Sequence, residues 1–240
     1  MTLEARNLVL TERLAGISCS LQAGQITAIC GPNGAGKSSL LQALAGLLEI
    51  DAGEVRLDGA ALPSSPERAR CVGYLPQSPE IAWDVSVRSI VELGRIPWRD
   101  AAVEPVEAAL DALDLKGFEH RRAQTLSGGE QARVLLARVL AGEPGWILAD
   151  EPLAALDLAH QAALVGHLRK AAQAGRGVVV VLHDLAVAMN HADRVLVLNE
   201  GRLAADGAPE EALSSALIGK VWGVETRWLG DAGRKALATS

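Results

Sequence analysis

The stretch Gly31-Pro32-Asn33-Gly34-Ala35-Gly36-Lys37-Ser38-Ser39 gathers three glycines, a lysine and two hydroxyls into one short run. Glycines let successive backbone N–H groups turn inward toward one anion, and a helix opening near Lys37 adds the positive end of its dipole. Lys37 supplies a point charge for β- and γ-phosphates. Ser38 offers a hydroxyl to Mg²⁺, a cation that takes few protein oxygens and completes its shell with phosphates and water. The spacing Gly-x-x-x-x-Gly-Lys-Ser, after an apolar strand and before an amphipathic helix, is that of a P-loop. Binding of a nucleoside triphosphate with Mg²⁺ is expected.

Other residues bring complementary chemistry. Trp146-Ile147-Leu148-Ala149-Asp150-Glu151 ends an apolar strand in two carboxylates. Ligands of open α/β sheets collect beyond the carboxyl ends of the strands. Asp150 is therefore expected to hold the Mg²⁺ shell and Glu151 to polarise an attacking water. Leu126-Ser127-Gly128-Gly129-Glu130 is a second glycine-rich turn, followed by Arg133. Ser127 suits an N-cap, and the glycines leave N–H groups open toward an anion. Taken alone, those residues would be a helix-capping turn. His183, in Val181-Leu182-His183-Asp184, ends another apolar strand, where a lone histidine is more often a satisfied structural residue.

Hydrophobic periodicity supplies the elements that must position these groups. Residues 26–30 read as the strand feeding the cradle, and Leu40, Leu41, Leu44, Leu47 and Leu48 as one buried helical face. Residues 53–59 and 72–75 read as short strands, the second stopped by Pro76. Between 78 and 141 strand-like runs give way to helical segments, such as 86–93 and 103–113. Strands return at 146–149, 177–182 and 194–198, the last continuing through Asn199-Glu200-Gly201 into 202–205 as a hairpin. The expectation is an α/β chain forming one domain, with a core of residues 1–77 and 142–240 and an inserted helical subdomain at 78–141.

The 240 residues are ample for a hydrophobic core. Lys and Arg number 23 against 29 Asp and Glu, and this net charge of −6 provides no basic field for a nucleic-acid backbone. Cys19, Cys30 and Cys71 are too few and too scattered for a disulfide framework or a zinc site. Residues 1–10 include Glu4, Arg6 and Asn7, unlike the unbroken apolar stretch of a leader peptide. Apolar runs such as 178–182 fall far short of the roughly 20 residues of a membrane span. A soluble, intracellular chain is expected.

With the Ser127-Gly128-Gly129 turn about ninety residues beyond the cradle and just ahead of the Asp150-Glu151 strand, the chain resembles the ATP-binding cassette (ABC) family over nearly its whole length. The resemblance implies a P-loop NTPase (RecA-like) core with a β-rich N-terminal part, and hydrolysis of ATP with Mg²⁺. Gln77, in Gly73-Tyr74-Leu75-Pro76-Gln77, resembles the Q-loop glutamine that contributes to Mg²⁺ and attacking-water geometry. Ala155-Leu156-Asp157 resembles the D-loop, and His183 the switch histidine that contacts the γ-phosphate. The segment 89–98, together with Leu156-Asp157-Leu158-Ala159-His160-Gln161, the run from His183-Asp184-Leu185-Ala186 through Gly201-Arg202-Leu203, and Gly207-Ala208-Pro209-Glu210-Glu211, is similar to importers of iron–siderophore, haem or cobalamin. Arg95 and Trp98 in that first segment are expected at the contact with a permease. Leu153 and Ala154 stand where the family commonly has Thr and Ser, and Glu130 where Gln is commoner. No aromatic lies between Asn7 and Ala15 to stack on adenine, which leaves Arg13 as the candidate substitute.

The resemblance further implies a C₂ homodimer sandwiching two ATP molecules, each between one P-loop and the partner's Ser127-Gly128-Gly129. Implied partners are integral-membrane permease subunits and, indirectly, a periplasmic or extracellular solute-binding protein, with no nucleic acid. The implied location is peripheral, on the cytoplasmic face of the inner membrane. Three readings stay open on the sequence: the ATPase subunit of an importer, a soluble single-cassette ATPase in assembly or repair, and a nucleotide-responsive module that no longer hydrolyses. Glu151 and His183, both present, weigh against the third.

Overall fold

Apolar residues run almost unbroken along the central strands, and both faces of those strands are covered. The computed structural model describes residues 1–77, 84–154 and 156–239. Strands β1 (Thr2–Leu10) and β2 (Leu14–Gln22) form a long antiparallel hairpin, followed by β3 (Ile26–Cys30) and helix α1 (Lys37–Leu44). Next come β4 (Ala52–Leu57), β5 (Ala60–Ala61), α2 (Glu67–Cys71) and β6 (Val72–Leu75). Helix α3 (Val87–Glu92) runs into a 3₁₀ turn at Leu93–Trp98, and α4 (Val103–Ala112) and α5 (Gly128–Ala141) follow. The chain then alternates β7 (Trp146–Asp150), α6 (Leu158–Gln173), β8 (Gly177–Val181), α7 (Leu185–His191), β9 (Arg194–Asn199) and β10 (Arg202–Gly207). Helices α8 (Pro209–Ala212) and α9 (Ser215–Trp222) lead to a terminal hairpin, β11 (Thr226–Leu229) and β12 (Ala236–Thr239).

The main sheet has the order β10-β9-β3-β8-β7-β6, parallel except for β10, and an antiparallel sheet β2-β1-β4-β5 accompanies it. Period-two alternation divides the apolar residues into two cores. Ala28, Ile147, Val180 and Val197 point to the side that packs against α3 to α9. Ile29, Leu148, Val179 and Leu196 point to the side shared with α1 and the antiparallel sheet. β3, β7 and β8 are buried at every position, which is why they are apolar except for Thr27 and Asp150. The α/β class and the P-loop NTPase architecture are as expected.

One sequence expectation needs correction, and one element adds to the reading. Helix α1 ends at Leu44, and Leu47, expected on its buried face, is exposed. The terminal hairpin had no sequence signal of its own; it is docked by Asn190, whose side chain pairs both backbone groups of Lys235, and by the Trp228 indole donating to the Leu213 carbonyl. Among the described residues no helix is long and apolar enough to cross a membrane.

Candidate functional site

Strand order decides which loops meet. β3, β8, β7 and β6 are consecutive neighbours, so the loops leaving their carboxyl ends converge on one edge of the sheet. Those loops carry Gly31–Gly36, His183, Glu151 and Gln77. A cavity of about 470 Å³ opens there, lined by Arg13, by Asn33 to Ser39, and by Glu151 and His183.

The cradle holds its shape through backbone geometry. Gly36 has φ 95, and a Cβ there would fall 2.5 Å from the Arg13 carbonyl oxygen, so the turn into α1 requires glycine. Lys37 is buried, and its Nζ donates to the carbonyls of Gly31 and Pro32, each at 2.9 Å. An ammonium has three N–H donors, so one is left for a phosphate oxygen. Burial lowers the Lys37 pKa, opposed by the charges of Glu151, Cys30 and Asp150.

Ser38 Oγ donates to Asp150 Oδ1 at 3.0 Å. A hydroxyl and a carboxylate thus face each other below the cavity, the hard oxygen donors that Mg²⁺ accepts, and the residues fit that ion. Asp150 is only 3% exposed, and burial raises its pKa. Hydrogen bonds from Ser38 and Tyr74 pull it back down, and Glu151 pushes it up. Tyr74, whose hydroxyl donates to Asp150 Oδ2 at 3.3 Å, was not singled out from the sequence. Its signal was available: a tyrosine in a strand beside β7 needs a partner for its hydroxyl when buried.

Glu151 is the centre of a second cluster. Gln77 Nε2 donates to Glu151 Oε2 at 2.5 Å, and His183 Nε2 lies 2.5 Å from Glu151 Oε1. Glu151 adopts φ 48, a left-handed conformation unusual for a side chain this long, and turns off the end of β7 into the cavity wall. Three residues chosen separately from the sequence therefore meet at one carboxylate. Such an arrangement can fix a carboxylate at the mouth of a phosphate site and orient a water.

The remaining site residues stand elsewhere. Ser127 caps α5 by accepting from the Glu130 N–H, while Glu130 accepts from the Ser127 N–H at 2.7 Å, a reciprocal capping box. Asp157 caps α6, accepting from the His160 N–H at 2.9 Å. Neither Ser127-Gly128-Gly129 nor Asp157 lines the phosphate cavity. Gly128 borders a smaller cavity, about 130 Å³, together with Gln77 and Pro152. Ala155 lies outside the described residues, as do 78–83.

Arg95 overturns one expectation. It is 6% exposed, and its guanidinium donates to the Ala141 carbonyl and pairs with Asp100 and Glu143. The Trp98 indole carries two guanidiniums, those of Arg95 and Arg70, each 5.0 Å from a ring centroid, and donates to the Gly142 carbonyl. Arg95 is held inside and presents nothing to a partner.

A family model described as "ABC transporter" matches residues 14–154. The chain is 44% identical over 238 residues to the hemin import ATP-binding protein HmuV of Nocardia farcinica, covering 92% of this chain and 83% of that one. It is 45% identical over 216 residues to the HmuV of Streptomyces coelicolor, covering 87% and 77%. Among solved structures it is similar to cbiO1 of Clostridium perfringens, part of the ABC transporter complex cbiONQ, with TM-score 0.80, 26% identity and coverage of 91% and 92%. A nucleotide-free ATP-binding cassette from an ABC transporter gives TM-score 0.80 and 26% identity, covering 93% of this chain and 96% of that one.

Proposed function

Because the chain belongs to the ABC transporter family and is an ATP-hydrolysing transport ATPase, we propose that it energises an importer of haem, or of a related metal chelate such as iron–siderophore or cobalamin. The observation that carries the hydrolytic part is the convergence of Gln77, Glu151 and His183 beside the Lys37–Ser38 cradle. The names of the relatives favour haem as cargo.

The roles follow from the chemistry. Backbone N–H groups of residues 31–39 and Lys37 cradle the phosphates of ATP. Ser38, Gln77 and Asp150 would hold Mg²⁺, which when bound supplies positive charge against the phosphate oxygens. Glu151 orients the attacking water, with Gln77 and His183 fixing its carboxylate. Phosphoryl transfer asks mostly for positioning and electrostatics, which this cluster supplies.

Ser127, Gly128, Gly129 and Asp157 act in the site of a second copy, in a C₂ homodimer. Their distance from the chain's own cavity lining supports this, as does Leu158, 85% exposed beside Asp157. Residues 1–77 and 142–240 form the ATP-binding core and 78–141 a helical subdomain. The permease docks in a groove of about 460 Å³ rimmed by the exposed Leu47, Leu93 and Ile96, with Gly73, Tyr74 and Pro97 among its walls. The chain sits peripherally on the cytoplasmic face of the membrane, and a solute-binding protein contributes only through the permease.

The test is reconstitution of the chain with its permease in liposomes, followed by ATP-driven uptake of haem, an iron–siderophore and cobalamin in parallel. Haem uptake that stops with Glu151→Gln is the expected result. Uptake of another chelate alone would correct the cargo. Full ATPase activity in a chain that no permease retains would replace the importer with a soluble cassette ATPase.

A further inference from the structure

Two helices of this chain begin with the same device. At α5, Ser127 is the cap, and Gln131, four residues on, donates Nε2 to the carbonyls of Ala123 and Leu126 at 3.3 and 3.2 Å. At α6, Asp157 is the cap, and Gln161, four residues on, donates to the carbonyls of Leu153 and Leu156 at 3.3 and 3.0 Å. Each helix start therefore grips the loop that leads into it. One loop ends in the Ser127-Gly128-Gly129 turn; the other leaves Glu151, whose carbonyl accepts the Ala154 N–H at 3.1 Å.

His160 stands between the two. Its Nδ1 lies 2.7 Å from Asp157 Oδ1, the oxygen that also accepts its backbone N–H. These contacts, the backbone one foremost, hold the Asp157 carboxyl below the usual carboxylate range. The other side of the ring presses on Gly129. A Cβ built there would fall 2.0 Å from His160 Cδ2, 2.3 Å from Cγ and 2.6 Å from Nε2, so all three nearest atoms belong to this one imidazole. Gly129 is itself buried. The ring fills the space that any side chain at position 129 would need, and Asp157 keeps it there.

We propose that His160 is a positioning residue that locks the Ser127-Gly128-Gly129 turn to the Glu151 loop, and so couples the two ATP sites of the dimer. The inference rests on the reading of that turn as the part facing the partner's ATP. In that dimer Glu151 serves the chain's own nucleotide while the turn serves the other. A rigid link between them makes closure at one site felt at the second.

The test is steady-state ATP hydrolysis by the full chain as a function of ATP concentration, with melting temperature and nucleotide binding measured alongside. His160→Ala is expected to lower kcat about tenfold or more, since small misplacements of catalytic groups have large effects. The Hill coefficient should fall toward about 1 as the coupling is lost. Nucleotide affinity, set by the cradle, should stay within about twofold. His160→Asn, whose Nδ2 can donate to Asp157 as Nδ1 does, should recover much of the rate and the cooperativity. Gly129→Ala should be severely impaired in the native background and milder in the His160→Ala background. Unchanged kcat and Hill coefficient in His160→Ala would overturn the proposal, as would a loss explained by melting that His160→Asn does not rescue. Ser127→Ala separates the two layers. If it leaves hydrolysis intact, the reading of the turn fails; if it lowers hydrolysis while His160→Ala does not, only the coupling role fails.

Discussion

Asp150 meets opposing demands at the residue scale. To hold Mg²⁺ as proposed it must stay ionised beside Ser38, yet it is buried, and burial favours the neutral acid. Tyr74 and Ser38 offset this by donating to the carboxylate. Tyr74→Phe removes one donor, so the Asp150 pKa should rise further. Activity that needs the carboxylate is present above that pKa and lost as pH falls through it. The acid limb of the pH–rate profile should therefore move to higher pH, with the alkaline limb unmoved; an unmoved acid limb would take Tyr74 out of the site. Arg13 offers a second residue-scale test, because it is among the residues lining the cavity. Aromatic stacking on adenine is worth about 0.5–1.5 kcal/mol beyond area burial. Arg13→Tyr should tighten ATP binding and sharpen its preference over GTP several-fold, measured by competition. The native chain should prefer ATP by less than about tenfold.

At the scale of elements, the contacts of Arg70 and Arg95 with Trp98 tie α2 to the 3₁₀ turn and to the chain end of α5. Arg70 Nε donates to the Pro97 carbonyl, Arg95 to Ala141 and the Trp98 indole to Gly142. Removing Arg95 leaves the Ala141 carbonyl without its buried donor. Arg95→Ala should therefore cost about 2 kcal/mol of stability, a fall in melting temperature of roughly 4–8 °C. Transport and ATPase activity should decline together, following the melting curve. Loss of transport alone would return Arg95 to the permease contact. Exposed Ile96, one residue away, is the better candidate for that contact.

For the whole molecule, two measurements bear on assembly and on the core. Glu151→Gln should retain ATP binding while hydrolysis falls by about 10²–10⁴-fold, the usual worth of a general base. In the proposed homodimer trapped ATP bridges two copies, so light scattering should show the mass double with ATP and return to the monomer without it. Near-normal turnover would remove Glu151 from the base role. In the core, burial pushes the Cys30 thiol up to about 12. An unfolded cysteine ionises near its ordinary value, so above about pH 9 the folded state holds a proton that the unfolded state has released. Stability then falls as pH rises, by about 1.4 kcal/mol per pH unit from this one group. Urea unfolding at pH 8, 9 and 10 should show a steeper alkaline loss for the native chain than for Cys30→Ala, and parallel curves would contradict it.

The phosphate cradle, the paired carboxylates and the helix caps were legible in the sequence because their chemistry is local. A glycine pattern sets backbone direction, a Ser or Asp before a helix finds its own N–H groups, and alternating apolar residues declare a strand. Gln77, Glu151 and His183 could be named one by one in the same way. That they share a single carboxylate was decided by the β8-β7-β6 strand order, which brings Gln77 and His183, 74 and 32 positions from Glu151 in the chain, into hydrogen-bond reach of it. The same limit hid Tyr74 behind Asp150 and made Arg95 read as a surface cation. It also hid the imidazole of His160 against Gly129. A long side chain's burial and partners depend on distant segments, and only the packed chain determines which of those segments meet it.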